Sequence, residues 1–477
     1  MKTSIHKSTL RFVFLQFLIT IAFLHWIATM NAAIPQGDWA KTIGWVALIM
    51  MAQQLFFLYR QGKRMQSFEL WFILLSYLFM FGRIFLVGVL EIDEITALNY
   101  DRNVLDDRYS VTIHYQSALF VLMAIQLIFC GFLLNGQKRN VAQAESDPGL
   151  YQAGVIMLCI GIPCHLIHSL QMITDAQAGG SYGSIVEQSG LIDDMANLLI
   201  YGVICLVFSG RYSKTVFRNL IIAVTAYLVI VMILTGDRRY QAVSIIVLLL
   251  AYARSTKLKF SLKMIWVGIG AFFLLALFYV LREIRTSDLT SLGSFAEVFK
   301  DKLVNSEQSI LTQTLYEFGG SLYTVCLAIK YVPSPIGFKY GSTIISGILS
   351  IIPAGFIYQD WEIFQYGRLA HQLLNLADTT VGASVFADLY GNFGWIGGGI
   401  SAFMLGLLLP KLLEKKNKRL SCALVDARYY ILFYALIHLA RASFTEVIRT
   451  AAWALMILYF AYHLRTKRNY ANQSVQK

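Results

Sequence analysis

Charge is what this sequence has least of. Only 14% of its 477 residues are Asp, Glu, Lys or Arg, against about 25% in an average soluble domain. Apolar residues fill the deficit at 57%, more than a water-soluble fold of this size could hide. A cysteine framework is missing too. The six cysteines (Cys130, Cys159, Cys164, Cys205, Cys326 and Cys422) lie mostly inside apolar runs and form no CxxC pair or zinc spacing. That excludes a disulfide scaffold and leaves them as small membrane-buried hydrophobes. No Walker A motif occurs, which excludes an ATP-driven pump. No loop on the basic side of the chain is long enough for a nucleotide-sugar domain. Any chemistry must therefore use a substrate already in the membrane or outside it.

What is present is a series of apolar runs long enough to cross a hydrocarbon layer roughly 30 Å thick. Twelve are expected: Thr9–Met30, Trp39–Tyr59, Phe68–Leu90, Ile113–Leu134, Leu150–Ile173, Leu191–Phe208, Val216–Leu234, Tyr240–Ala253, Leu262–Leu281, Ser384–Leu409, Tyr429–Ser443 and Thr450–Leu464. The basic start of the first run resembles a signal peptide, but the run is long and lacks an A-x-A-like exit, so an uncleaved span is expected. The predicted fold is an all-α polytopic membrane protein with about twelve transmembrane helices. Residues 1–281 hold nine of them, 282–383 form a large extracytoplasmic loop of amphipathic or re-entrant helices, and 384–477 hold three spans and a cytoplasmic tail.

Lys plus Arg outnumber Asp plus Glu, 40 to 28. The excess collects in alternate loops such as "RQGKRMQS", "NGQKRN" and "KLLEKKNKR", which assigns it to the positive-inside rule and not to nucleic acid. The other loops, "NAAIPQGD", "EIDEITALNYDRNVLDD" and "TDAQAGGSYGSIVEQ", are acidic or neutral. Both termini are then expected in the cytoplasm.

Against that pattern, several arginines fall on the outer side. Arg238 and Arg239 stand in the turn "TGDRRY", Arg282 in "LREIR", Arg368 in "YGRLAH", and Arg441 and Arg449 in "LARASFTEVIRT". Arg83 lies inside the third span, nearer its outer end. Arginine binds phosphate bidentately and stays charged at any accessible pH, so such a group suits a diphosphate that gains charge as it leaves. Each arginine alone could equally snorkel or pair with a carboxylate, as Arg238 with Asp237.

Fewer residues could handle a proton. Glu317 in "TLYEFGG" and Asp388 in "ASVFADLYGN" are carboxylates at the outer boundary, able to act as a base or hold a sugar hydroxyl. Asp378, followed by two threonines, reads better as a helix cap. His371 in "RLAHQLL" could act on an acceptor hydroxyl, although a lone loop histidine is more often a surface residue. His165 and His168, with Asp193 and Asp194, have the makings of a metal site but too few ligands in either pair. No metal is expected.

The stretch "LTGDRRYQAVSIIVLLLAY", then "LYEFGGSLYTVCLAIKYVP", "FKYGSTIISGILSIIP" and "DTTVGASVFADLYGNFGWIGGG" resemble, in that order, the O-antigen and capsule repeat-unit polymerases of the Wzy type. The resemblance covers roughly 234–409, the first six spans matching only in hydropathy, and Asp388 stands where the family often has Glu. It implies a metal-independent glycosyltransferase of GT-C-like architecture in the bacterial cytoplasmic (inner) membrane, needing no cofactor. The substrate would be undecaprenyl-diphosphate-linked oligosaccharide in the membrane lipid, and the partners a chain-length regulator and a flippase. By analogy Arg238, Arg239, Arg282, Arg441 and Arg449 would hold the diphosphate, while Glu317, His371 or Asp388 would deprotonate or orient the acceptor. The rivals are an O-antigen ligase and a polysaccharide-lipid flippase or other secondary transporter. A transporter should carry its charges and broken helices near the midplane, whereas here charge concentrates at the outer ends.

Overall fold

The computed structural model describes residues 7–30, 39–63, 65–93, 97–98, 107–135, 147–177, 190–235, 239–256, 312, 315–316, 318–352, 369, 372–373, 383–414 and 421–475. Every regular element among them is helical. A backbone in hydrocarbon must satisfy its own N–H and C=O groups, and a helix does so within one segment. Among the described residues eight helices are long and apolar enough to cross a membrane: Trp39–Arg60, Phe68–Gly88, Val111–Leu134, Pro148–Thr174, Lys214–Met232, Val385–Glu414, Cys422–Ala440 and Phe444–His463.

These eight correspond to eight of the twelve expected spans. The first expected span is the helix Lys7–Met30, and the eighth is a shorter apolar helix, Tyr240–Ser255. The sixth is split into Gly190–Ala196 and Leu198–Phe208. At the break, the Asn197 amide bonds back to the Asp193 carbonyl at 3.1 Å. The ninth lies outside the described residues. We number the helices α1 (Lys7–Met30), α2 (Trp39–Arg60), α3 (Phe68–Gly88), α4 (Asp107–Leu134), α5 (Pro148–Gln177), α6 (Gly190–Ala196), α7 (Leu198–Phe208), α8 (Lys214–Thr235), α9 (Arg239–Ser255), α10 (Leu322–Tyr331), α11 (Ser342–Leu349), α12 (Val385–Glu414), α13 (Cys422–Ile437) and α14 (Phe444–Val475).

The chain divides into two compact units: 1–143 with 318–457, and 144–317 with 458–477. In the first, α4 is the central helix and α12 packs closely along it. Gly131 and Gly406 make this approach possible. A Cβ on Gly131 would stand 2.5 Å from the Gly406 carbonyl carbon, and one on Gly406 would run into the Ile128 backbone. The Asn135 amide then reaches the Leu407 carbonyl at 2.9 Å. Three glutamines tie α1, α2 and α4 together. Gln54 donates to Gln126 at 2.6 Å, and Gln126 donates to Gln16. Among apolar helices, which gain little from burying one another in lipid, small residues and polar pairs supply the specificity.

The other end of this unit is less regular. At Gly394 the backbone turns to φ 66°, breaking α12 into an N-terminal piece and a longer C-terminal piece. Along the C-terminal piece Ile396, Ile400, Met404, Leu408 and Leu412 are exposed at every fourth position, the stripe expected of a lipid-facing helix. Neither α10, with 10 residues, nor α11, with 8, can cross a bilayer at 1.5 Å per residue. The amphipathic helix expected around residues 292–303 lies outside the described residues.

In the second unit α5 and α7 pack through glycines, with a Cβ on Gly161 colliding with the Leu199 backbone. His165 Nδ1 meets Tyr227 Oη at 2.9 Å and Ser169 Oγ at 3.1 Å. His168 pairs with Asp193 at 3.7 Å. Among the described residues no group of three or more His, Cys, Asp or Glu could hold a metal ion.

Candidate functional site

The C-terminal ends of α3 and α13 and the N-terminal ends of α12 and α14 converge within the first unit, and Arg83, Arg441 and Arg449 stand there. Arg441 follows the 3-10 turn 438–440 that ends α13, its N–H donating to the His438 carbonyl at 2.8 Å. Its guanidinium lies over the Phe79 ring, 5.5 Å from the centroid, within cation–π range. Phe79 also meets Phe318 edge-on at 5.7 Å. One turn farther along α3, half-buried Arg83 donates from Nη1 to the Leu98 carbonyl at 3.3 Å. The glycines after Phe318 press against it. A Cβ on Gly319 would collide with the Arg83 backbone, and one on Gly320 would lie 3.4 Å from its Nη2. Half-buried His438 meets Tyr434 edge-on, ring centroids 4.9 Å apart.

Asp388 is buried on the first turn of α12, and its Oδ2 accepts from Phe444 N at 2.9 Å. Phe444 is the first residue of α14, so this carboxylate caps a helix to which it does not belong. One turn on, Asn392 ties down the neighbouring loop. Its Oδ1 accepts from Gly341 N at 2.8 Å, and its Nδ2 donates to Thr343 Oγ1 at 2.7 Å. Lys339 N and Tyr340 N take the carbonyls of Gly391 and Asn392 at 2.9 and 3.0 Å, next to the break at Gly394. Lys339, partly buried in this loop, has its pKa lowered by that burial. Ser384 Oγ and Thr324 Oγ1, 2.7 Å apart, join α12 to α10. The start of α14 is thus held by Asp388 and by Thr445 Oγ1, which donates to the Thr343 carbonyl at 3.3 Å, and half-buried Arg449 stands in its second turn.

The structure therefore brings Asp388, Arg441 and Arg449 to one end of one unit. Arg239 opens α9 in the other unit, one residue earlier than the expected helix start at Tyr240. Arg238, Arg282, Arg368, Asp378, Glu317 and His371 lie outside the described residues. Phe79, Phe318 and the Gly319–Gly320 pair were not legible as site residues. Their sequence signal is a double glycine two residues after Glu317, before a helix.

Fold and site together define a polytopic helical membrane protein with cationic side chains converging at one end of its bundle. The family model described as O-antigen polysaccharide polymerase Wzy matches residues 10–470, and the chain belongs to that family of polysaccharide polymerases. No curated protein and no solved structure matches it.

Proposed function

We propose that the chain joins undecaprenyl-diphosphate-linked oligosaccharide repeat units on the outer face of the bacterial cytoplasmic membrane, in making O-antigen, capsule or exopolysaccharide. A hydroxyl of the incoming unit attacks the anomeric carbon of the growing chain. The bond to the lipid diphosphate breaks, the diphosphate leaves with the electron pair, and the chain passes to the new unit with inversion. Arg441 holds the departing diphosphate, supported by Arg449 and by Arg238, Arg239 and Arg282. Glu317 or His371 takes the hydroxyl proton. Asp388, bonded to Phe444 N, fits an orienting role. The architecture is GT-C-like with about twelve spans and both termini in the cytoplasm, and a flippase and a chain-length regulator act beside the enzyme.

The observation that carries this reading is the Arg441 guanidinium set over Phe79 at the end of α13. A permanent planar cation beside apolar walls binds phosphoryl oxygens more strongly than one in water. The orientation is supported by Lys63 and Glu414, 3.3 Å apart. They bring the basic loops after α2 and α12 to the end of the unit away from Arg441. In cells, Arg441→Ala should abolish polymer and leave single repeat units on the carrier. Normal chain length at a normal protein level would refute the diphosphate role. In a deletion strain, single capped units mark a polymerase, uncapped lipid-linked polymer a ligase, and cytoplasmically trapped units a flippase.

A further inference from the structure

We propose that Arg83 supplies a second guanidinium to the diphosphate held by Arg441. The inference rests on the lipid-diphosphate reading above. In the sequence of α3, FELWFILLSYLFMFGRIFLVG, the charged residues are Glu69 at the N-terminal end and Arg83 near the C-terminal end. A cation in such a helix is costly unless it faces the bundle interior or water, and its retention points to a role. Arg83 faces the bundle: Leu98 O accepts from its Nη1 and Gly320 lies against the guanidinium.

Three features place it with Arg441. Phe79, under the Arg441 guanidinium, is one turn from Arg83 on α3, so both cations belong to one face of that helix. The bond to Leu98 O fixes the direction of the Arg83 side chain. Finally, the glycine pair is matched to this position. Only glycine at 319 lets the 3-10 turn sit directly on the α3 backbone at Arg83, and a Cβ at 320 would already stand 3.4 Å from Arg83 Nη2, so a branched side chain there crowds the guanidinium. Two planar donor groups on one face suit a ligand with two phosphoryl groups.

The test measures binding of undecaprenyl diphosphate, against undecaprenol, to the full-length protein in nanodiscs. The wild type should prefer the diphosphate. Arg83→Ala should weaken diphosphate binding by about tenfold or more, the loss of a charge-assisted contact, with undecaprenol binding and thermal midpoint unchanged. Arg83→Lys should recover only part, because an ammonium cannot bind in a fork. Gly320→Val leaves Arg83 and its Leu98 bond in place and should weaken diphosphate binding alone. If Arg83→Ala does not fold, Gly320→Val decides, and wild-type diphosphate affinity there overturns the proposal. Wild-type affinity in Arg83→Ala with loss in Arg441→Ala overturns the role of Arg83 alone. Wild-type affinity in both overturns the diphosphate reading itself.

Discussion

At the scale of single residues, Asp388 shows how a contact redirects a sequence expectation. A carboxylate at an outer boundary is equally suited to a base or to a cap, and only the partner distinguishes them. Its partner among the described contacts is Phe444 N, 56 positions away. Asp388→Asn keeps a carbonyl oxygen for that N–H, so thermal stability and polymer should stay near wild type. Asp388→Ala leaves a buried N–H without its acceptor and should cost about 1–2 kcal/mol, seen as a lower thermal midpoint. Loss of polymer in Asp388→Asn at unchanged stability would instead make Asp388 the base. Arg441 was legible as a violation of the positive-inside pattern. Phe79 beneath it was not, because a cation–π partner on a distant helix leaves no local pattern.

At the scale of helices, the apolar runs were legible because the bilayer demands a fixed length of uncharged chain. How the helices approach one another was less so. Glycines are scattered through many spans, yet Gly131 and Gly406 meet backbone to backbone while Gly337 has nothing within 4 Å of where a Cβ would stand. Gly406→Leu should therefore push α12 off α4 and cost about 1–3 kcal/mol or more by overpacking, measured as a fall in thermal midpoint and protein level. Gly337→Ala should change neither. The division of the expected sixth span at Asn197 and the break of α12 at Gly394 were hidden for a related reason. Hydropathy averages over a window and does not register one side-chain amide or one positive φ.

At the scale of the molecule, the end of the first unit away from Arg441 is locked by Lys63, which is 2.5 Å from Glu69 and 3.3 Å from Glu414. Burial lowers the Lys63 pKa, but the two carboxylates outweigh it and hold the group above the ordinary 10.5. The sign follows from linkage. A pKa raised on folding contributes stability that is fully present below the unfolded value of 10.5 and is lost as pH rises through the folded one. Thermal stability should thus be insensitive to this group at neutral pH and decline at strongly alkaline pH, a decline that Lys63→Met should reduce. Lys63→Met should also lower stability at pH 7 by about 3–5 kcal/mol, because it takes the Lys63 cation from buried Glu69 and half-buried Glu414. A neutral-pH thermal midpoint equal to wild type would show the triad to be dispensable.

The sequence by itself determined the solvent of this protein, its helical class and most of its spans. Those follow from composition and length, which a bilayer reads directly. Tertiary structure alone decided that Asp388 caps α14, that Arg441 rests on Phe79, and that Gly319 and Gly320 close onto Arg83. Each of these joins residues far apart in the chain, and such contacts exist only once the helices have packed.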